Sequence, residues 1–446
     1  MPLRSLNAYL SPSLLIVHDS ARPGTICVLS SGKVTSVSTM RRPTRLELRS
    51  VTCAGSRFTG SATRPTTSVP AGCAATSAPD ARSTTASTSH AIDILIVASS
   101  GAASRYTIAR GRARHGSRIA RRRPTMRYEV VEGWEQLPKG FEHRDVAGVA
   151  VDGEDRVFLI CRSDHPIIAY DDKGEFLRSW GEGEFTYRTH GIATAPDGTV
   201  WATDDGNHTV RQFTPQGKLL NTLGTLDTPS DTGYDGKDYM TITRPGGPFN
   251  RPTNLAIGPR GDLYVSDGYG NCRVHQFSPT GTLKRSWGEP GTGPGQFYLP
   301  HGIAVAADGR VFVCDRESDR IQIFSPDGEY LSEWTDTQRP THIVFDAQGR
   351  AYVSELWWHK GQVSRRHGVT QEPKHGRVSV FDRDGRLLAR WGTPEATKPG
   401  SFAAPHGLAV DSKAAVYVAE VTWTFAVSRG LAPADCHTFQ KFALRA

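Results

Sequence analysis

The stretch LPHGIAVAADGRVFVCDRESDRIQIFSPDG, Leu299–Gly328, decides how the rest of the chain is read. Apolar residues alternate at period two through GIAVA, RVFVC and RIQIF, and Asp308-Gly309 and Asp327-Gly328 punctuate the runs. Alternating strands joined by Asp-Gly turns predict antiparallel hairpins. The stretch also sets a histidine, His301, immediately before a glycine at the mouth of its first strand. That phrase recurs as THGIATAPDGTVWATDDGNHTVRQFTPQG from Thr189 and as PHGLAVDSKAAVYVAE from Pro405.

Working outward, the same unit occurs six times: strand, turn, a second strand ending at or near an acid, a third strand, another turn, and a strand closing near Trp-Gly. Copies begin at Gly148, Gly191, Asn254, Gly302 and His342, and a last one, GLAVDSKAAVYVAEVTWTF, begins at Gly407. The fifth is interrupted by an insertion and resumes at GRVSVFDRDGRLLARWG. Four strands repeated every 40 residues or so is the pattern of a β-propeller, and six units predict an all-β, six-bladed ring over 126–446. The last copy lacks an outer strand, and MRYEVVEGW from Met126 supplies one. Pairing it there would fasten the ring and cover a sheet edge.

Residues 1–125 differ in kind: Ser, Thr, Ala and Arg dominate and no periodicity is sustained. They hold 18 of the 53 Lys and Arg but 4 of the 45 Asp and Glu, so the remaining 35 basic and 41 acidic residues leave the propeller at −6. The overall charge of +8 is therefore no argument for nucleic-acid binding. This low-complexity extension is expected to be disordered or no part of the natural fold, as an over-extended start; an organelle transit peptide is a third reading. Its apolar runs SLLIV and AIDILIV are too short to span a bilayer, and the default address is cytoplasmic. Cys27, Cys53 and Cys73 lie in the extension. Cys161, Cys272, Cys314 and Cys436 show no metal or framework spacing and are expected as free thiols.

Aligned at the residue before the first strand, the six copies read Ala147, His190, Thr253, His301, Thr341 and His406. Histidine falls in blades two, four and six, which a six-fold ring relates by a three-fold axis. Three neutral imidazoles around that axis offer a metal three nitrogens and an open fourth position, the arrangement of a catalytic zinc site. His342 is one position out of phase and reads as structural. The second strands end in Cys161, Asp204, Asp267, Asp315, Glu355 and Glu420, acids regular enough to be structural acceptors for neighbouring turns. Just beyond stand Arg162, Arg316 and Tyr269: two guanidinium groups able to grip a carboxylate, and a phenol placed to act as a base.

From Arg251 to Phe324 the sequence resembles the NHL-repeat propeller of the peptidyl-α-hydroxyglycine α-amidating lyases, and the likeness extends over about 127–442. The resemblance implies that His190, His301 and His406 hold zinc, that Tyr269 in SDGYGNCR is the catalytic tyrosine, and that Arg162 in CRSDH and Arg316 in CDRES are the active-site arginines. It implies cleavage of a carbinolamide, a peptidyl- or N-acyl-α-hydroxyglycine, to an amide and glyoxylate. The partner is then a small-molecule or peptide substrate, with no nucleic acid, no membrane and a monomeric chain expected. Two positions depart from the family. Gly270 stands where the family has a disulfide cysteine, with Cys272 two places on. Gly407 stands where it has an acid associated with calcium, which leaves calcium open. Two other functions remain: a non-catalytic NHL scaffold binding protein or nucleic acid, and a sugar-lactone hydrolase, which would need an acidic metal cage at the axis.

Overall fold

The computed structural model describes residues 126–445 and, before them, the backbone of six strands, Leu14–His18, Thr25–Ser30, Lys33–Ser38, Arg49–Ser50, Ile92–Val97 and Ala103–Ile108. The chain divides into two compact units, Met1–Ala113 and Arg114–Ala446. In the first unit the leading four strands form an antiparallel sheet in sequence order and the last two pair with each other. The disorder expected over 1–125 otherwise lies outside the described residues. No helix among the described residues is long and apolar enough to cross a membrane.

The second unit is the six-bladed propeller. Blades 1 to 4 are four-stranded antiparallel sheets with inner strands Val146–Val151, Thr189–Thr194, Pro252–Ile257 and Pro300–Val305. Blade 5 starts at Pro340–Phe345 and is interrupted after its second strand, Ala351–Glu355, before resuming at Arg377–Phe381. Blade 6 takes Pro405–Val410, Val416–Glu420 and Phe439–Arg445 from the C-terminal end and Arg127–Val131 as its outer strand. Lys441 pairs with Val131 and Phe442 with Val130, so the ring is fastened by the strand the sequence proposed.

Middle strands such as Val311–Asp315 are buried on both faces, because each sheet packs against a neighbour on either side. Phe312, Cys314 and Ile323 of blade 4 interlock with Ile343, Val353 and Phe381 of blade 5, and the other sheet pairs repeat the pattern. The recurrent Trp and turn glycine belong to one contact. Gly328 lies at φ +84°, where a side chain is strained, and a Cβ there would come within 2.8 Å of the Trp287 indole from the preceding blade. Gly217 faces Trp180 and Gly385 faces Trp334 in the same way.

Carboxylates at the ends of the second strands hold the loops that lead into the inner strands. Asp204 accepts from the Thr186 backbone N–H at 2.7 Å, Asp315 from Tyr298 at 3.1 Å, and Glu420 from Ala403 and Ala404 at 2.7 and 2.9 Å. All three carboxylates are wholly buried, so each loop is fixed by a bond that water does not contest. These three loops deliver His190, His301 and His406.

Candidate metal centre

Each of the three histidines is the second residue of its inner strand, on blades 2, 4 and 6. Their rings meet at the axis with centroids 4.6, 4.6 and 4.7 Å apart. One nitrogen from each lies within 4.8 Å of the others, and among the described residues no other group of His, Cys, Asp and Glu side chains comes together in this way. The axis offers imidazoles and not the carboxylate cage of a lactone hydrolase.

The following glycines explain the His-Gly phrase. A Cβ at Gly191 would stand 2.7 Å from the carbonyl oxygen of Thr253, and one at Gly302 would stand 2.6 Å from that of Thr341. A Cβ at Gly407 would stand 2.7 Å from Gly148 Cα and 3.2 Å from the carbonyl oxygen of Ala147. The bare glycines let each even blade press against the next odd one. Each histidine then donates Nδ1–H to one of those carbonyls: His190 to Thr253, His301 to Thr341 and His406 to Ala147, all at 2.6 Å. A carbonyl can only accept, so Nδ1 carries the proton and Nε2 is left with a lone pair. Burial, reinforced by Arg316 at all three, by Arg162 at His190 and His406, and by neighbouring imidazoles, holds the three groups well below the usual histidine range. Three neutral rings with converging lone pairs fit a borderline cation with nitrogen preference, as zinc is.

Tyr269 reaches in from blade 3. Its hydroxyl is 3.2 Å from Nε2 of His190 and 3.2 Å from Nε2 of His301, and it accepts from Arg316 Nη1 at 3.2 Å. Arg316 is 6% exposed; its Nε donates to Glu317 at 2.8 Å, and Arg339 Nη2 donates to the same carboxylate oxygen at 2.7 Å. Burial alone would raise the Glu317 carboxyl, but the two guanidinium groups outweigh it and hold it below its ordinary value. Arg162, across the mouth on blade 1, donates Nε to the Thr189 carbonyl at 3.2 Å and stands 3.5 Å from Asp145. All six residues singled out from the sequence therefore gather at one end of the channel. Arg162 does not bond to Tyr269, and its guanidinium faces the strand that carries His190.

Sequence reading missed three contributors. Arg188, paired to buried Asp205, lies over the Tyr269 ring at 5.9 Å. Glu317 and Arg339 form the brace behind Arg316. Arg188 stands two residues before His190, but nothing in its neighbours marks it. His342 is structural, as its phase predicts: its Nδ1 accepts from the Leu408 backbone N–H at 3.1 Å. The described cysteines are all free, as expected.

The NHL repeat pattern matches residues 249–277 and 297–324, within blades 3 and 4. The human NHL repeat-containing protein 3 is 31% identical over 315 residues, 66% of this chain and 81% of its own length. The chain belongs to the NHL-repeat family. This NHL propeller is also 27% identical over 333 residues to the mouse peptidyl-glycine alpha-amidating monooxygenase, spanning 64% of the chain but 30% of that protein. It is 27% identical over 266 residues to the Drosophila melanogaster peptidyl-alpha-hydroxyglycine alpha-amidating lyase 1, 56% of the chain and 45% of the relative. The family of this NHL propeller thus includes proteins named as amidating lyases.

Proposed function

We propose that the protein is a zinc-dependent carbon–nitrogen lyase that splits an N-acyl- or peptidyl-α-hydroxyglycine into an amide and glyoxylate. The observation that carries this reading is the position of the Tyr269 hydroxyl, 3.2 Å from two of the three axial imidazoles and 3.2 Å from the Arg316 guanidinium. A base, an anion clamp and three nitrogen ligands share one buried mouth.

His190, His301 and His406 would hold the zinc, whose Lewis acidity would make the substrate hydroxyl a better proton donor. Tyr269, acting as the phenolate, accepts that hydroxyl proton while the C–O bond becomes the aldehyde carbonyl and the C–N bond breaks. The proton then passes to the departing amide nitrogen, so the products are an amide and glyoxylate and no water is consumed. Arg316 and Arg162 hold the carboxylate, Arg316 by the donors that Glu317 leaves free. Glu317 and Arg339 keep that guanidinium from turning away, which serves the reaction by positioning.

Similarity to proteins named as amidating lyases supports the reading. Similarity to NHL repeat-containing protein 3, a name without an activity, favours a second one, a non-catalytic scaffold. One experiment separates them. Zinc-loaded protein is incubated with N-benzoyl-α-hydroxyglycine and glyoxylate is measured: release that His301→Ala abolishes supports the lyase. No release, with zinc confirmed in place, sinks it.

A further inference from the structure

Six residues stand just before the six inner strands: Asp145, Arg188, Arg251, Leu299, Arg339 and Ala404. Each carbonyl accepts a backbone N–H from just beyond the second strand of its own blade, Arg251 from Tyr269 at 3.4 Å and Arg339 from Leu356 at 3.1 Å. The six therefore hold equivalent places on the mouth to which Tyr269 belongs.

Arg251 and Arg339 share more than position. Both precede a proline, and both lie in the left-handed region, at φ +62° and +36°. Few bulky residues adopt that conformation, and it persists where the surroundings impose it. Each guanidinium also stacks on an aromatic ring from a long loop, Arg339 on Trp358 at 4.4 Å and Arg251 on Tyr234 at 5.5 Å. They differ in what they meet. Arg339 donates to the Glu317 carboxylate of the preceding blade at 2.7 Å. The blade preceding Arg251 carries Gly206 at the position of Glu317, two residues past the end of its second strand. A Cβ at Gly206 would stand 2.3 Å from Thr186 Oγ1, so the chain has no room for a side chain there. Among the described residues Arg162, Arg188, Arg316 and Arg339 each pair with a carboxylate, and Arg251 pairs with none.

The field on this side of the mouth is correspondingly uneven. Asp205 is wholly buried and bonds to Arg188, yet Arg162 and Arg251 also act on it, all three opposing the rise that burial imposes. One carboxylate thus answers three guanidinium groups.

We infer that Arg251 binds a second carboxylate of the substrate, carried on the acyl side of the scissile C–N bond, as Arg339 binds Glu317. The inference rests on the lyase reading, which commits Arg316 and Arg162 to the carboxylate that leaves within glyoxylate. A second acid must then lie on the other side of the C–N bond. The substrate class is an N-acyl-α-hydroxyglycine whose acyl group is acidic, such as a peptide with glutamate before the hydroxyglycine. A guanidinium presents paired donors that match a carboxylate, and Arg251 is partly buried, where solvent and salt screen such a pair less than on an open surface.

The test uses unreactive ligands that lack the hydroxyl and differ in one group, a carboxylate against its amide. Binding of N-acetyl-glutamylglycine and N-acetyl-glutaminylglycine to the full, zinc-loaded chain is measured by calorimetry. The glutamyl compound should bind about tenfold more tightly, the lower end of what a hydrogen bond to a charged group contributes, and the ratio should shrink as salt is added. Arg251→Met leaves the backbone bonds to His208 and Tyr269 in place and should bring the ratio to about one. Arg251→Lys keeps the charge without the fork and should retain part of the ratio. Equal binding of the two ligands, no binding of either, or a ratio that survives Arg251→Met in folded protein overturns the inference. A ratio that depends on Arg251, in protein that releases glyoxylate from no hydroxyglycine, upholds the acid subsite and sinks the reaction instead. Glyoxylate release with equal binding does the reverse.

Discussion

His406 donates its Nδ1–H to the carbonyl oxygen of Ala147, 2.6 Å away and 259 positions earlier in the chain. A residue of the last blade is oriented by the first, so the third corner of the histidine cluster exists only when the ring is shut. The bond that shuts it is the pairing of Phe439–Arg445 with Arg127–Val131. A chain starting at Met126 should melt cooperatively and bind zinc. One starting at Glu135 loses the outer strand of blade 6, exposes a sheet edge, and should lose stability and zinc together. Melting curves and bound zinc, measured on both, check this; zinc retained in full by the shorter chain would uncouple the site from closure.

Zinc should bind one ion per chain. Removing an outer hydrogen-bond partner of a metal ligand typically costs 10–100-fold in affinity, and removing a ligand should cost more. His190→Ala, His301→Ala and His406→Ala should each exceed that loss while the β-rich circular dichroism persists. Full zinc occupancy in the triple variant would place the ion elsewhere.

Tyr269→Phe keeps the ring but removes the hydroxyl that touches His190, His301 and Arg316. Turnover should fall about 100-fold or more, the scale of a positioned general base, with zinc content unchanged. Steady-state kinetics beside metal analysis reads both quantities.

Glu317 is buried and shared by Arg316 and Arg339. Glu317→Ala strands two guanidinium groups and should destabilise the fold by about 3–5 kcal/mol, as breaking a buried pair does. Glu317→Gln keeps an acceptor in place and should cost less stability, while weakening glyoxylate binding. Urea unfolding and product inhibition distinguish the two effects.

His342 is buried and depressed to about 4, chiefly by burial. An unfolded histidine takes up a proton near pH 6.5 that the folded one refuses. Stability from this group is therefore complete above about pH 6.5 and falls as pH drops toward 4, by roughly 3 kcal/mol in total. His342→Asn should flatten that part of the curve, read by urea unfolding at a series of pH values. An unchanged slope would mean that another group governs it.

The ring and its closure were legible because alternation, turn chemistry and a strand missing at one end and present at the other all repeat. The histidines were legible for the same reason, since Ala147, Thr253 and Thr341 interrupt them at regular intervals. What those three residues do was not legible. They contribute backbone carbonyls, which any residue carries, so no side-chain pattern could announce them. Glu317 and Arg339 were hidden differently: they lie on different blades and meet only through the packing of blade 4 on blade 5.

The imidazoles of blades 2, 4 and 6 lean on carbonyls of blades 3, 5 and 1. The unit of repetition is one blade, but the unit of chemistry is a pair, one giving the ring nitrogen and the next holding it. That imposes a parity rule on how such a protein can change size. Adding or losing a single blade would bring two like blades together somewhere on the circle and break the alternation of imidazole-bearing and carbonyl-giving positions. Growth by duplication could keep that alternation only in steps of two, and each step would bring one more imidazole to the axis.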